Sequence, residues 1–309
     1  MALKHQQHWA TQKERGNRFV LLISAWMART LPLWLLKPFI HLIAFYYYLS
    51  APSARRHITA YQRRLSHHFP DLHLPPRSVW RQFAAFAQAI SDQFAVWQQR
   101  IVYADLSVED PDNLYARMNN PHQRGELLIC AHLGNNDVCR ALASHHRHFK
   151  LNVLVYHRHA VLFNQALNRV GADKIRLFEI STLDAATMFD LQARLARGEW
   201  LAIAADRVPV KGDKTVSVPF LGDESLFAQG PWLLAGLLDV RVNVLFCTRQ
   251  HGRYHLQLEA FAERIHWSRS TREQVIKTWV ARYSERLAQA CARTPLQWFN
   301  FYDFWGDNV

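Results

Sequence analysis

The first long signal in the chain is an apolar run over residues 19–51, FVLLISAWMARTLPLWLLKPFIHLIAFYYYLSA. Pro32 and Pro38 are expected to break its helical continuity, and Arg29 and Lys37 interrupt its apolar character. A spanning helix needs roughly 18 or more apolar residues with few charges. Residues 31–50 come near that, with Lys37 and His41 as flaws. Three arrangements stay open: a tilted or re-entrant span, helices lying in the interface plane, or a buried helix pair of a globular domain. Arg55, Arg56, Arg63 and Arg64 follow at once and suit anionic headgroups on a cytoplasmic face. The stretch PDLHLPPR (70–77) reads as a turn. Ser78 is placed to cap a helix reaching about residue 100, along which Val79, Phe83, Phe86, Ile90, Phe94 and Trp97 recur at helical spacing.

From residue 126 the pattern becomes alternating. Short apolar runs at 126–131, 151–157, 174–180, 199–205, 242–249 and 254–261 read as strands. Helical spacing falls near 136–146, 160–170, 183–198, 231–238 and 271–292, with Gly198 closing the third of these helices. QHGR reads as the turn between the last two strands. Strands alternating with helices predict an α/β fold: a mostly parallel central sheet flanked by helices, preceded by the apolar helical N-terminal segment. No internal repeat or low-complexity tract interrupts it.

Composition narrows the class. Half of the 309 residues are hydrophobic, enough for a large core. The 11 Trp and 10 Tyr suit a core and equally a membrane interface. A net charge of +12 favours anionic partners: nucleic acid, an anionic leaflet or an acidic carrier protein. No zinc-finger spacing or RNA-recognition aromatic motif is present, so no nucleic acid partner is expected. Cys130, Cys139, Cys247 and Cys291 form no C-x-x-C pair and read as reduced thiols. The polar first 18 residues give no cleavable signal peptide. His145, His146 and His148 lie near a helix end, and His157 and His159 share one face of an extended segment. With no HExxH or clustered Cys/His spacing, no metal is expected.

Chemistry points to ICAHLGNNDVCRAL. In parallel α/β sheets, functional groups gather at the carboxyl ends of strands, and His132 directly follows the strand ELLICA. Asp137 falls in the first turn of the next helix. Five residues along one helix would set the two side chains about 140° apart. They meet only if His132 lies on a loop that Gly134 helps to turn. An aspartate near a helix start ionises readily and can accept from one imidazole nitrogen, leaving the other free as a base. The spacing alone is weak, since roughly one or two H-x4-[DE] matches arise by chance in such a composition. Asn135 and Asn136 can donate to an oxyanion or cap the helix, with capping the more ordinary role. Arg158 reads equally as a surface charge, and Asp206–Arg207 as a local ion pair.

HLGNND resembles the H-x4-D/E block of the lysophospholipid acyltransferase superfamily. The chain looks closest to the branch of late lipid A acyltransferases, and within it to the acyltransferases associated with aryl polyene pathways. WATQKERGN (9–17), VYHR (155–158), AADR (204–207), VPFLG (218–222), QGPWLLA (229–235) and PLQWFNFYDFW (295–305) resemble further blocks, so the likeness covers nearly the whole chain. It implies transfer of a fatty or polyene acyl group from acyl carrier protein or coenzyme A to a hydroxyl of a lipid or glycolipid. The acyl thioester is then a cosubstrate, with no other cofactor. His132 becomes the general base and Asp137 its orienting partner. Arg158, Asp206 and Arg207, with Asn135 and Asn136, become substrate-binding residues. The implied location is the cytoplasmic face of the inner membrane, with residues 1–60 associating with it and 61–309 forming the acyltransferase domain. Two departures stand out: Asp206–Arg207 replaces an acidic–glutamine pair, and RVNVLFC replaces a proline block. A thioesterase using the same histidine on water, and a non-catalytic basic membrane-binding protein, are the alternatives. The aromatic tail WFNFYDFW reads first as packing and second as a wall of an acyl groove.

Overall fold

The computed structural model describes residues 32–97, 100–120, 122–138, 148–155, 175–179, 184–208 and 215–306. Three helices open it: α1 (Leu33–Ser50), α2 (Pro52–His68) and α3 (Ser78–Trp97). Then come β1 (Leu106–Glu109), α4 (Leu114–Met118), β2 (Leu127–Cys130), β3 (Leu151–Val155) and β4 (Ile175–Glu179). They are followed by α5 (Ala185–Ala196), β5 (Trp200–Ala204), β6 (Thr215–Phe220), β7 (Asp223–Ala228) and α6 (Gly230–Leu237). β8 (Val242–Gln250), β9 (Arg253–Ala262) and α7 (Arg272–Arg293) complete the order. The main sheet runs β1-β9-β8-β2-β5-β3-β4, and β6 and β7 form a separate hairpin. Among the described residues of the main sheet, only β8 and β9 pair antiparallel, so the expected mostly parallel α/β sheet is what forms.

Helices cover both faces of this sheet, which is why β2 is apolar along its whole length rather than alternating. Leu127 and Ile129 enter one core cluster with α7, while Leu128 and Cys130 enter a second on the opposite face. The β8–β9 turn places His251 at φ 48° and Gly252 at φ 85°, the two left-handed residues that a tight hairpin needs. Cys130, Cys247 and Cys291 are buried as thiols.

Several local expectations change. Pro38 does not end a helix: α1 starts after Pro32 and runs through Pro38 to Ser50. Pro38 is the sixth helical residue, so a single backbone hydrogen bond is lost near the end, and the ring sits on the exposed side. Ser78 does not cap α3 with its hydroxyl, which donates to Gln62 Oε1 at 2.6 Å and ties α3 to α2. The hairpin β6–β7, in a stretch to which the pattern assigned no element, turns on Leu221 (φ 53°) and Gly222 (φ 90°). Pro219 masked its alternation. The four-residue β1 was also unforeseen, because it exists through pairing with β9, Leu106 opposite Tyr254. Residue 60, the expected domain boundary, lies inside α2, whose Tyr61 and Leu65 belong to the main core.

Among the described residues, no helix is long and apolar enough to cross a membrane. α1 nonetheless leaves Leu35, Phe39, Leu42, Tyr46 and Leu49 exposed on one face, while Leu36, Ile40 and Ala44 pack with Ala87 of α3 on another. The remainder of the apolar run, residues 19–31, lies outside the described residues.

Candidate active site

β2 and β5 run parallel in the register Leu127↔Leu201 to Cys130↔Ala204. The ladder continues past their ends, where the Ala205 N–H donates to the Cys130 carbonyl at 3.0 Å. Two residues beyond the paired ends, the same register sets His132 opposite Asp206. The His132 backbone N–H donates to Asp206 Oδ2 at 2.9 Å, and ring Nδ1 lies 2.8 Å from Oδ1. Trp298 Nε1 and Asn300 Nδ2 also donate to Oδ2, each at 3.0 Å. Asp206 is fully buried. Burial opposes its ionisation, but the facing His132, its hydrogen bonds and Arg207 outweigh that cost and hold the carboxyl at about 2.

The loop after His132 is pinned from two sides. Gly134 stands at φ +72°, and a Cβ there would lie 1.9 Å from the Cys247 carbonyl oxygen, so only glycine fits against β8. The tail lies alongside as a short strip: the Gly134 N–H donates to the Gln297 carbonyl and the Phe299 N–H to the His132 carbonyl, both at 2.8 Å. A buried amide relay, Gln62 to Gln82 and Gln82 to the Trp298 carbonyl, fixes that strip to α2 and α3.

Asp137 sits in the 3-10 turn Asn136–Val138, and its carboxylate accepts from Gln93 Nε2 of α3. The expected pairing with His132 is therefore not the one at Nδ1, which faces Asp206 instead. The turn carries Asp137 toward α3, while the strand register carries Asp206 to the histidine. Asn135 donates through Nδ2 to the Ala89 carbonyl at 2.9 Å and to the Tyr254 hydroxyl at 3.4 Å, and its Oδ1 accepts from the Asp137 N–H at 3.2 Å. Asn136 Nδ2 donates to the Ala131 carbonyl at 2.7 Å. Asn135 accepts from the backbone as a cap does, while Asn136 donates to a carbonyl and so ties the loop together without capping. The Tyr254 hydroxyl donates to Asp92 at 2.7 Å, and burial, reinforced by that carboxylate, pushes its pKa up.

A cleft of about 460 Å³ opens between α3 and the tail. Phe86, Ala89, Ile90 and Gln93 line one side, and Phe299, Phe301 and Tyr302 the other. His132, Gly134, Asn135, Asn136, Asp137 and Arg207 complete the lining. Phe86 meets the Phe299 and Phe301 rings edge-on at 5.2 and 5.3 Å, giving an apolar wall beside a polar end. Arg207 donates to Asn300 Oδ1 at 2.9 Å and to the Phe299 carbonyl at 3.2 Å. Asp206 stands behind His132 rather than on the cleft surface. Arg158, His145, His146, His157 and His159 lie outside the described residues. Among the described residues no three His, Cys, Asp or Glu side chains are grouped to hold a metal.

The model of the bacterial lipid A biosynthesis acyltransferases matches residues 4–306. The chain belongs to that family. No curated protein matches the sequence. Three contacts of this acyltransferase's site escaped sequence reasoning: Gln93 on Asp137, and Trp298 and Asn300 on Asp206. Gln93 lies on the helical face next to Phe86 and Ile90, and Trp298 and Asn300 alternate in the tail with the cleft-lining Phe299 and Phe301. That alternation, WFNF, was the available signal.

Proposed function

We propose that this acyltransferase moves a fatty or polyene acyl group from an acyl thioester to a hydroxyl of a lipid or glycolipid, with His132 as general base. One observation carries the reading. The imidazole lines the cleft at the carboxyl end of a central strand, with Nδ1 engaged by a buried carboxylate and Nε2 turned the other way. Nε2 takes the proton of the acceptor hydroxyl as that oxygen attacks the thioester carbon. The tetrahedral intermediate collapses with cleavage of the carbon–sulfur bond, and the imidazolium returns the proton to the departing thiolate. No enzyme nucleophile is needed. The apolar wall of Phe86, Ile90 and Phe299 suits the acyl chain, and the positive net charge suits an acidic acyl carrier protein as donor, with acyl coenzyme A as the other donor class.

The exposed apolar face of α1, with Trp34 at 72 % and Leu42 at 63 % exposure, supports attachment to the cytoplasmic face of the inner membrane. Arg56 and Arg63 of the following helix, α2, are exposed and suit anionic headgroups. Arg64 is not in that set, because it pairs with Asp223 at 2.5 Å and stacks on Trp305.

The test is His132→Ala with acyl-carrier thioester and a lipid extract as acceptor. Loss of transfer in a folded variant is expected, and full transfer would remove His132 as base. Rapid free-acid release without acceptor would make the enzyme a thioesterase.

A further inference from the structure

We propose that Gln93 of α3 is a specificity-determining residue whose side-chain oxygen accepts a hydrogen bond from a hydroxyl or amide N–H of the bound substrate. This rests on the cleft being the acyl-transfer site. Phe86, Ala89, Ile90 and Gln93 follow one another at helical spacing and line the same side of the cleft. Of the four, only Gln93 brings polar side-chain atoms, and it stands where the stripe reaches the His132 loop.

The protein settles which end of that carboxamide faces which way. Carboxylate and amide oxygens both accept, so the group facing Asp137 Oδ2 is Nε2. That contact fixes the plane of the carboxamide and turns Oε1 away from Asp137. The helix beneath is fixed as well. The Ala89 carbonyl accepts from Asn135 Nδ2 at 2.9 Å, and Asp92 accepts from the Tyr254 hydroxyl at 2.7 Å and from Gln88 Nε2 at 2.6 Å. Oε1 itself accepts from no group among the described residues. A ligand that covers such an oxygen without offering it a donor leaves a desolvated acceptor, which weakens binding about tenfold or more. Oε1 and the Asp137 carboxylate both present negative charge, so an anionic group is repelled there and an O–H or N–H is drawn in. Two sources carry that chemistry: a further hydroxyl of the acyl acceptor, and an amide N–H of the pantetheine arm of the thioester.

Gln93→Lys separates the two ends of the side chain, since an ammonium still donates to Asp137 and has nothing to accept with. Gln93→Met removes both. Initial rates are measured on the full chain with an acyl-carrier thioester varied against a fixed lipid extract, then with the extract varied by dilution against fixed thioester. Both variants should raise the KM for one of the two by about tenfold, with most of the loss in kcat/KM lying in KM. A rise on the extract axis names the acceptor hydroxyl, and a rise on the thioester axis names the amide. Unmoved KM values on both axes, in a Gln93→Lys enzyme shown to be folded by circular dichroism, would overturn the proposal. So would a loss confined to kcat, because Gln93 would then serve Asp137 alone. If Gln93→Lys does not fold, the neutral Gln93→Met decides on the same two axes. If the wild-type chain transfers no acyl group, the acyl-transfer reading falls and this one with it, whereas transfer with unmoved KM values removes this one alone.

Discussion

Trp298→Phe separates the hydrogen bond on Asp206 from the packing around it. Trp298 is fully buried, and its ring lies 4.9 Å from Tyr61, 5.0 Å from Phe304 and 5.4 Å from Phe220. Phenylalanine keeps that aromatic contact and deletes the 3.0 Å donation to Oδ2. A hydrogen bond to a charged group contributes about 1.5–3 kcal/mol, and the small void adds about 1 kcal/mol, so the loss should be about 3 kcal/mol. Urea unfolding followed by far-UV circular dichroism at pH 7 measures it, and a double-mutant cycle with Asp206→Asn isolates the coupling at about 1.5–3 kcal/mol. The pH dependence gives a second reading. The folded-state pKa of Asp206 is depressed to about 2 from 3.8, so its contribution is fully present above 3.8 and is lost as pH falls through 2. Integrated, that shift is worth roughly 2 kcal/mol. Removing a donor raises the folded-state pKa, so in Trp298→Phe the acid-side fall in stability should begin at higher pH. Additivity within about 0.5 kcal/mol in the cycle, together with an unchanged acid limb, would mean that Trp298 only packs.

Other perturbations probe the frame of the site. Gly134→Ala puts a methyl 1.9 Å from the Cys247 carbonyl oxygen in a left-handed conformation. It should cost more than about 3 kcal/mol in thermal or urea unfolding, and near wild-type stability would contradict the packing against β8. Tyr254→Phe removes the donor to Asp92 and the acceptor of Asn135. The expected loss is about 1–3 kcal/mol, read by the same unfolding assay, with transfer activity falling as the Asn135 loop loosens. Triple replacement of Trp34, Leu42 and Tyr46 by serine on the exposed face of α1 should leave the fold intact. Flotation with anionic vesicles should fall at least about tenfold, since each side chain forfeits about 1 kcal/mol of apolar burial. Unchanged flotation would take the membrane contact away from α1.

The chain's own pattern was enough for the six strands it marks from residue 126, for the helices at 183–198, 231–238 and 271–292, and for the amphipathic α3, while the expected helix at 160–170 and most of that at 136–146 lie outside the described residues. It also placed His132 immediately past a strand end, where a parallel sheet exposes functional groups. These are local properties: periodicity, turn residues and the position of one side chain relative to a strand. The apolar run was legible too, but not its path through Pro38, because a helix tolerates one missing hydrogen bond near its start on an exposed side. The hairpin β6–β7 and strand β1 needed their partners to exist at all. The histidine's partner depended on distance in sequence. Asp137, five residues on, looked like the natural acceptor, while Asp206 lies 74 residues away and becomes adjacent only because β2 and β5 pair in one register. Trp298 and Asn300 reach the same carboxylate from the end of the chain. The sequence by itself therefore determined which side chain stands at the strand end. Tertiary structure alone decided which carboxylate faces it, since hydrogen bonding between parallel strands, not spacing along the chain, sets what lies two residues beyond their ends.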